Sequence, residues 1–355
     1  MIIAGIMSGT SLDGITIAAI DRNGKRWSLL EYTTLPYPKK LRERILAVSN
    51  AEAHTGEIAK LNFDLGEQYA KAALKLKYKP QLIGCHGQTI FHGPGCTLQL
   101  GEAQVIAERT QTPVVNNFRP RDIAAGGQGA PLLPIYHAAR ARASDLPAAF
   151  LNVGGVANIT WIGTEPGALL GFDTGPGNGL IDDWVQARLG LSMDRDGAVA
   201  ARGRVHEDLV QELLQHDYFT RKPPKSLDRY AFTAYRLSVL DDADGAATLT
   251  AFTAAAVAAA LTHCPARPQR IYVAGGGRHN PILMKLLEQY CAVAIASIDD
   301  LGWDGDAVEA QGFAYLAVRS LRGLPLTFPG TTGIKAPLTG GRIASPGAIT
   351  RAKSA

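Results

Sequence analysis

Ile2-Ile3-Ala4-Gly5-Ile6-Met7-Ser8-Gly9-Thr10-Ser11-Leu12-Asp13-Gly14 leads straight into Ile15-Thr16-Ile17-Ala18-Ala19-Ile20. An apolar run enters a turn of glycine and hydroxyl residues, and a β-branched run leaves it. The pattern recurs in mid-chain: Ala149-Phe150-Leu151-Asn152-Val153 enters Gly154-Gly155, and Val156-Ala157-Asn158-Ile159-Thr160-Trp161-Ile162 leaves. Glycines let the backbone approach a phosphate closely, and hydroxyls and free N–H groups supply donors. Neither turn is a Walker A loop, which needs a Lys-Ser/Thr pair opening a helix. Either one alone can be an ordinary hairpin. The pair, one per half of the chain, points to two domains that grip a nucleotide from both sides.

A third glycine cluster strengthens this reading. Ile271-Tyr272-Val273-Ala274-Gly275-Gly276-Gly277-Arg278-His279-Asn280-Pro281 reads as a strand, a tri-glycine turn and a helix start near Asn280 or Pro281. A strand ending in flat glycines can take an adenine or ribose against bare backbone, or can pack a helix tightly on a strand.

A chain of 355 residues suits two domains better than one core. Hydrophobic content of 46% and charged content of 19% describe an ordinary globular protein. The net charge of +4 is weak and dispersed, and no basic run interleaves with aromatics, so nucleic acid is not expected as a partner. The opening apolar stretch lacks a basic leader and reads as a first strand rather than a signal peptide. The alanine-rich run 248–261 reads as a buried helix, not a membrane span. Cys85, Cys96, Cys264 and Cys291 show no CxxC spacing, so neither a disulfide framework nor zinc is indicated. The expected compartment is the cytoplasm.

Strands and helices alternate along the chain. A third strand is expected near 27–34, helices over 39–49 and 56–77, and a strand at 81–85 leading into Cys85-His86-Gly87-Gln88-Thr89. Another short strand at 113–116 precedes Phe118-Arg119-Pro120-Arg121-Asp122 and a glycine-rich loop, 124–131. Later helices are expected over 180–189, 206–215, 246–263, 281–289 and 306–321. The fold class is mixed α/β with two similar halves.

The chemically richest stretch is Gly171-Phe172-Asp173-Thr174-Gly175-Pro176-Gly177-Asn178-Gly179-Leu180-Ile181-Asp182-Asp183-Trp184. A strand delivers Asp173 to a loop, and Asn178 can cap the helix that follows, with Asp182 in its first turns. A carboxylate there stays ionised near neutral pH, as a general base must; Asp182 and Asp183 can equally serve only to complement the helix dipole. Asp173 is the other candidate, for a Mg²⁺-bound water or for holding the loop. Asp194 and Asp196 read equally well as a solvated turn.

These motifs, in this order, resemble the anhydro-N-acetylmuramic acid kinase family. The resemblance rests on Met7–Gly14, Cys85–Thr89, Phe118-Arg119 with Asp122, Ala125-Gly126-Gly127-Gln128-Gly129-Ala130-Pro131-Leu132, Asn152–Asn158 and Gly171–Asn178. Pro223-Pro224-Lys225-Ser226, Gly275–Asn280 and Asp306-Ala307-Val308-Glu309-Ala310 complete it, so it covers nearly the whole chain. Asn117 stands where the family carries an aspartate, and Leu227-Asp228-Arg229-Tyr230 replaces a commoner Thr-Gly-Arg-Glu.

The resemblance implies two similar domains of the actin/Hsp70/hexokinase (ribonuclease H-like) type with the active-site cleft between them. The first would span 1–135, joined by a returning segment at about 320–355, and the second 136–319. It implies ATP, Mg²⁺ and 1,6-anhydro-N-acetylmuramic acid as ligands, a homodimer, and a role in cell-wall sugar recycling. Asp182 is the implied base. Gly9, Thr10, Ser11, Leu12, Asp13, Gly14, Ile15, Thr16, Gly154, Gly155, Gly175, Gly275, Gly276 and Gly277 would meet the nucleotide. Arg119 would grip the sugar's carboxylate, with Arg121 the runner-up. Glu309 would accept from a sugar hydroxyl or hold Arg119. His86 would form pocket wall; no third ligand accompanies His86 and His92 to make a metal site. Asp173 would touch Mg²⁺ through water. An ordinary sugar or acetate kinase of the same superfamily, or an actin- or chaperone-type ATPase without a small substrate, are the alternatives.

Overall fold

The structure is a computed structural model that describes residues 1–9, 12, 14–24, 26–50, 52–93, 95–227, 232 and 239–347. Strands β1 (Ile2–Ser8), β2 (Ile15–Asn23) and β3 (Arg26–Leu35) open the chain. Helices α1 (Lys39–Asn50) and α2 (Thr55–Leu74) lead to β4 (Leu82–Gly93), β5 (Cys96–Leu100), α3 (Ala103–Thr110), β6 (Val114–Asn116), α4 (Pro120–Ala124) and α5 (Pro134–Arg140). The second half begins with β7 (Ala148–Val153), β8 (Val156–Ile162) and β9 (Leu169–Pro176). It continues through α6 (Gly179–Leu189), α7 (Glu207–Leu214), α8 (Asp242–Leu261), β10 (Arg270–Ala274), α9 (Pro281–Cys291) and β11 (Ala294–Ser297). Helices α10 (Val308–Leu321) and α11 (Pro329–Thr332) and strand β12 (Arg342–Ala344) close it.

The two halves build the same sheet. In the first, β6-β4-β1-β2-β3 lie in that order, with β2 and β3 antiparallel to their neighbours and β4 and β6 parallel to β1. In the second, β11-β10-β7-β8-β9 repeat the order and the directions. The first sheet adds β5 beside β4 and β12 beside β6, so the last described strand returns to it.

Apolar faces decide the layering. One face of the first sheet buries Ala4, Ile6 and Ile83 against Leu61, Leu65 and Tyr69 of α2 and Ile106 of α3. One face of the second buries Leu151, Ile159 and Val273 against α8 and α9. Between the two sheets lies a shared core of Ile3, Phe150, Tyr272 and Trp303 with Phe313, Leu316 and Ala317 of α10. Helix α10 can sit there because the strands beneath it carry glycine at the points of closest approach, Gly5 and Gly84. A Cβ at Gly84 would stand 2.2 Å from the Phe313 carbonyl oxygen. Helix α8 is long and apolar enough to cross a membrane by length and composition, yet 78% of its apolar window is buried inside the protein, against the second sheet and α9 and beside α6.

Two local expectations are corrected. Strand β4 does not stop at Cys85 but runs on to Gly93, because Gly87 at φ +81° absorbs a bulge and lets pairing resume at Gln88. Asn178 stands at the start of α6 but does not cap it: its Nδ2 donates to the Val153 carbonyl at 3.2 Å. Asn280 does cap α9, accepting from the N–H groups of Ile282 and Leu283 at 3.0 and 3.1 Å.

Candidate active site

The parallel strands β1, β4, β7 and β10 end at one cleft of about 1580 Å³. Gly9, Leu12, Gly14 and Thr16 line it from the first half, and Gly154, Gly155, Gly275 and Gly276 from the second. His86, Arg119, Asp173, Asp182 and Glu309 line it as well. Three of the expected nucleotide contacts stand elsewhere. Ile15 is buried in the first core, Gly175 packs toward Ala256 and Phe219, and a Cβ at Gly277 would strike Val153. Thr10, Ser11 and Asp13 lie outside the described residues, as do Asp228, Arg229 and Tyr230.

The second glycine turn is tied down on its carbonyl side. Asn178 N–H donates to the Gly154 carbonyl at 2.7 Å, and the N–H groups of Gly177 and Gly179 donate to the Gly155 carbonyl at 3.0 and 3.1 Å. What the turn keeps for a ligand is its N–H edge, the edge that suits a phosphate. Space above it is open, since a Cβ at Gly154 would meet only the Val156 carbonyl, at 3.6 Å. The side-chain oxygen of Asn152 is buried beside this turn with no hydrogen-bond partner among the described residues.

The first turn is braced from β4. Gln88 Nε2 donates to the Gly9 carbonyl at 3.2 Å, and its Oε1 accepts from the Tyr37 hydroxyl at 3.0 Å. Ser8 and Tyr69 join through their hydroxyls at 2.8 Å behind it. Gln88 was not expected from the sequence as a site residue, although it stands in the quoted motif beside His86.

The floor of the cleft concentrates charge. Arg119 donates from Nε and Nη2 to His86 Nε2 at 3.1 and 2.9 Å, and from Nη1 to the Gly129 carbonyl at 2.8 Å. Its hydrogen bonds therefore run to His86 and Gly129, not to Glu309. Burial lowers Arg119 to about 10, against the opposing pull of Asp173, Glu309 and Asp122. Burial likewise pushes Asp173 up to about 6, although Leu227 N–H donates to its Oδ2 at 2.8 Å and Arg119 acts the other way. Glu309, in the first turn of α10, is raised by burial, and Asn152 Nδ2 approaches its Oε1 at 3.5 Å. Asp182 is half-buried in the first turn of α6, while Asp183 beside it is exposed. Arg121 is exposed on α4, and Lys225 is buried with its Nζ donating to the Tyr218 carbonyl at 3.0 Å.

A duplicated sheet topology, with a glycine turn from each half facing one cleft and carboxylates at its floor, places the chain in the actin/Hsp70/hexokinase fold class. The family model for anhydro-N-acetylmuramic acid kinase matches residues 1–346. The chain is 48% identical over 353 residues to the anhydro-N-acetylmuramic acid kinase of Acidiphilium cryptum, covering 97% of this chain and 98% of that one. It is 48% identical over 346 residues to the enzyme of that name from Rhodospirillum rubrum, covering 95% and 92%. A solved structure, the activator of the 2-hydroxyisocaproyl-CoA dehydratase from Clostridium difficile with bound ADPNP, is similar over 91% of this chain and 96% of that chain, at 10% identity and a TM-score of 0.45. The chain belongs to the anhydro-N-acetylmuramic acid kinase family.

Proposed function

We propose that the cleft holds ATP between the turns at Gly9 and Gly154 and 1,6-anhydro-N-acetylmuramic acid on the side of Arg119, and that it opens and phosphorylates the sugar in one reaction. The observation that carries this is the sharing of one cleft by Asp182, both glycine turns and Arg119. In the anhydro sugar O6 is bonded to C1 and carries no proton, so a base has nothing to remove from it. Asp182 instead takes a proton from a water that attacks C1, as in an inverting glycosidase. The C1–O6 bond breaks, O6 bonds to the γ-phosphorus, and ADP leaves. The products are N-acetylmuramic acid 6-phosphate and ADP, the proton passing from Asp182 to solvent.

Arg119 binds the sugar's lactyl carboxylate, since its guanidinium lines the cleft with its hydrogen bonds running to neutral partners. Mg²⁺ is proposed to arrive on the nucleotide's phosphates, where it would neutralise charge. Among the described residues no group of three or more His, Cys, Asp and Glu forms a ready-made cage. Asp173 fits an outer contact through water: its carboxyl is held toward the protonated form by burial, which a cation's field relieves. A homodimer working in the cytoplasm, in cell-wall sugar recycling, completes the reading; it is supported by the family resemblance, and sedimentation tests the dimer.

Reaction in ¹⁸O-water separates this from an ordinary sugar or acetate kinase. Label at C1 of the product is expected; product formed without it overturns the hydrolytic reading.

A further inference from the structure

Arg119 has an unusual set of partners for a cation among carboxylates. Among the described residues its three hydrogen bonds all run to neutral acceptors, the His86 ring nitrogen twice and the Gly129 carbonyl once. The carboxylates that surround it are engaged elsewhere. Asp122 accepts from Gly129 N–H at 2.7 Å and from the Thr332 hydroxyl at 2.6 Å, Asp173 accepts from Leu227 N–H, and Glu309 faces Asn152.

A guanidinium has only donors, so His86 Nε2 must present its lone pair and the ring proton must sit on Nδ1. Burial and the neighbouring Arg119 charge, with a smaller contribution from His92, hold this imidazole well below its ordinary range. His86 is 4% exposed, and its ring lies 4.6 Å from that of Phe313, which is 5.5 Å from the ring of Phe118, the residue preceding Arg119. Three of the five guanidinium N–H groups are occupied, which leaves one on each terminal nitrogen, the number that a carboxylate's two oxygens take.

We propose that His86 is a positioning residue: a neutral acceptor that orients Arg119 while leaving its positive charge unneutralised for the substrate's carboxylate. This deepens, and rests on, the reading of Arg119 as that carboxylate's partner. A carboxylate in place of the imidazole would orient the guanidinium equally well but cancel its charge.

Three variants separate orientation from charge. His86→Gln offers a neutral oxygen, His86→Glu an isosteric charged one, and His86→Phe keeps the ring on Phe313 but removes the acceptor. KM and kcat are measured for the muramic sugar and for an anhydro-glucosamine analogue without the lactyl group, with ATP titrated separately and folding checked by thermal melts. The phenylalanine variant is expected to raise KM for the muramic sugar at least tenfold, and glutamine to restore most of that loss. Glutamate should raise this KM at least tenfold while KM for the analogue and for ATP moves less than threefold. Equal behaviour of Gln and Glu, or losses confined to kcat, overturns the proposal. Arg119→Ala is run alongside: if it leaves KM for the muramic sugar unchanged, the carboxylate reading itself fails and takes the inference with it. If it raises KM while Gln and Glu stay alike, the inference alone fails. ¹⁵N NMR of the unliganded enzyme gives a substrate-free readout, in which a protonated Nε2 at neutral pH would also overturn the proposal.

Discussion

A Cβ on Gly5 would stand 1.7 Å from the carbonyl oxygen of Ala310. Strand β1 and helix α10 are thus in backbone contact, and α10 carries Glu309 into the cleft from that seat.

Gly5→Ala should therefore be severely destabilising. Overpacking a core typically costs about 1–3 kcal/mol, and here the obstacle is helix backbone rather than a side chain that can turn aside. Urea unfolding of the variant should show loss of most of the stability, or no folded protein. A midpoint equal to wild type would mean that β1 and α10 are not in backbone contact at Gly5.

The base is tested at Asp182. Asp182→Asn should keep nucleotide and sugar binding while kcat falls by about 10²–10⁴, the range for loss of general-base catalysis. Asp183→Asn, at an exposed position, should do far less. Equal losses at both sites would show that Asp182 is not the base.

Gly154→Val separates ligand contact from folding. The nearest atom to the added Cβ is the Val156 carbonyl at 3.6 Å, an ordinary contact, so the far-UV spectrum should be preserved. Isothermal titration with a non-hydrolysable ATP analogue should show binding lost, because side-chain atoms fill the space meant for phosphate. Normal binding would make the turn a plain hairpin.

Arg119→Ala should raise KM for the muramic sugar strongly, since breaking a buried pair costs roughly 3–5 kcal/mol. The analogue without a lactyl group never uses the arginine and should lose little, so the preference between the two sugars should vanish. Equal losses for both would assign Arg119 to the nucleotide or to the loop at Gly129.

Asp173 predicts a pH effect with a definite sign. Its carboxyl titrates near 3.8 in an unfolded chain but is pushed up to about 6 in the fold, with burial the largest cause. The folded state therefore binds this proton more tightly. The associated stability is present below 3.8 and is lost as pH rises through 6. Asp173→Asn should raise stability at pH 7.5 by on the order of 2–3 kcal/mol, shrinking toward zero at pH 3.5, while turnover falls. Melts at both pH values check it; a variant no more stable at pH 7.5 would show that the carboxylate is well solvated or paired there.

The hairpins and the tri-glycine turn were legible because each couples an apolar run to residues that cannot continue it. Asn280 and Pro281 announced α9 for the same local reason. Gly87 looks like punctuation in the sequence, and only the pairing of Gln88 with Ser8 of β1 and Leu100 of β5 shows it to be a bulge within β4. Strand β5 and helix α3, five and eight residues long, carry no periodicity strong enough to mark them in the sequence. The His86–Arg119 contact joins positions 33 apart in the chain, and no periodicity marks such a pair. Asn178 misleads because its backbone is already helical, at φ −72° and ψ −17°, where a capping residue is extended, and its side chain is held by the bond that Nδ2 donates to the Val153 carbonyl.

His86 and Gln88 are two residues apart on β4. One holds the arginine proposed to meet the sugar, and the other holds the Gly9 carbonyl in the turn proposed to meet phosphate. The strand is in effect a crossbar, held in fixed register beside β1 with both grips on it. A substitution that displaces this stretch of β4 is therefore expected to disturb both grips together.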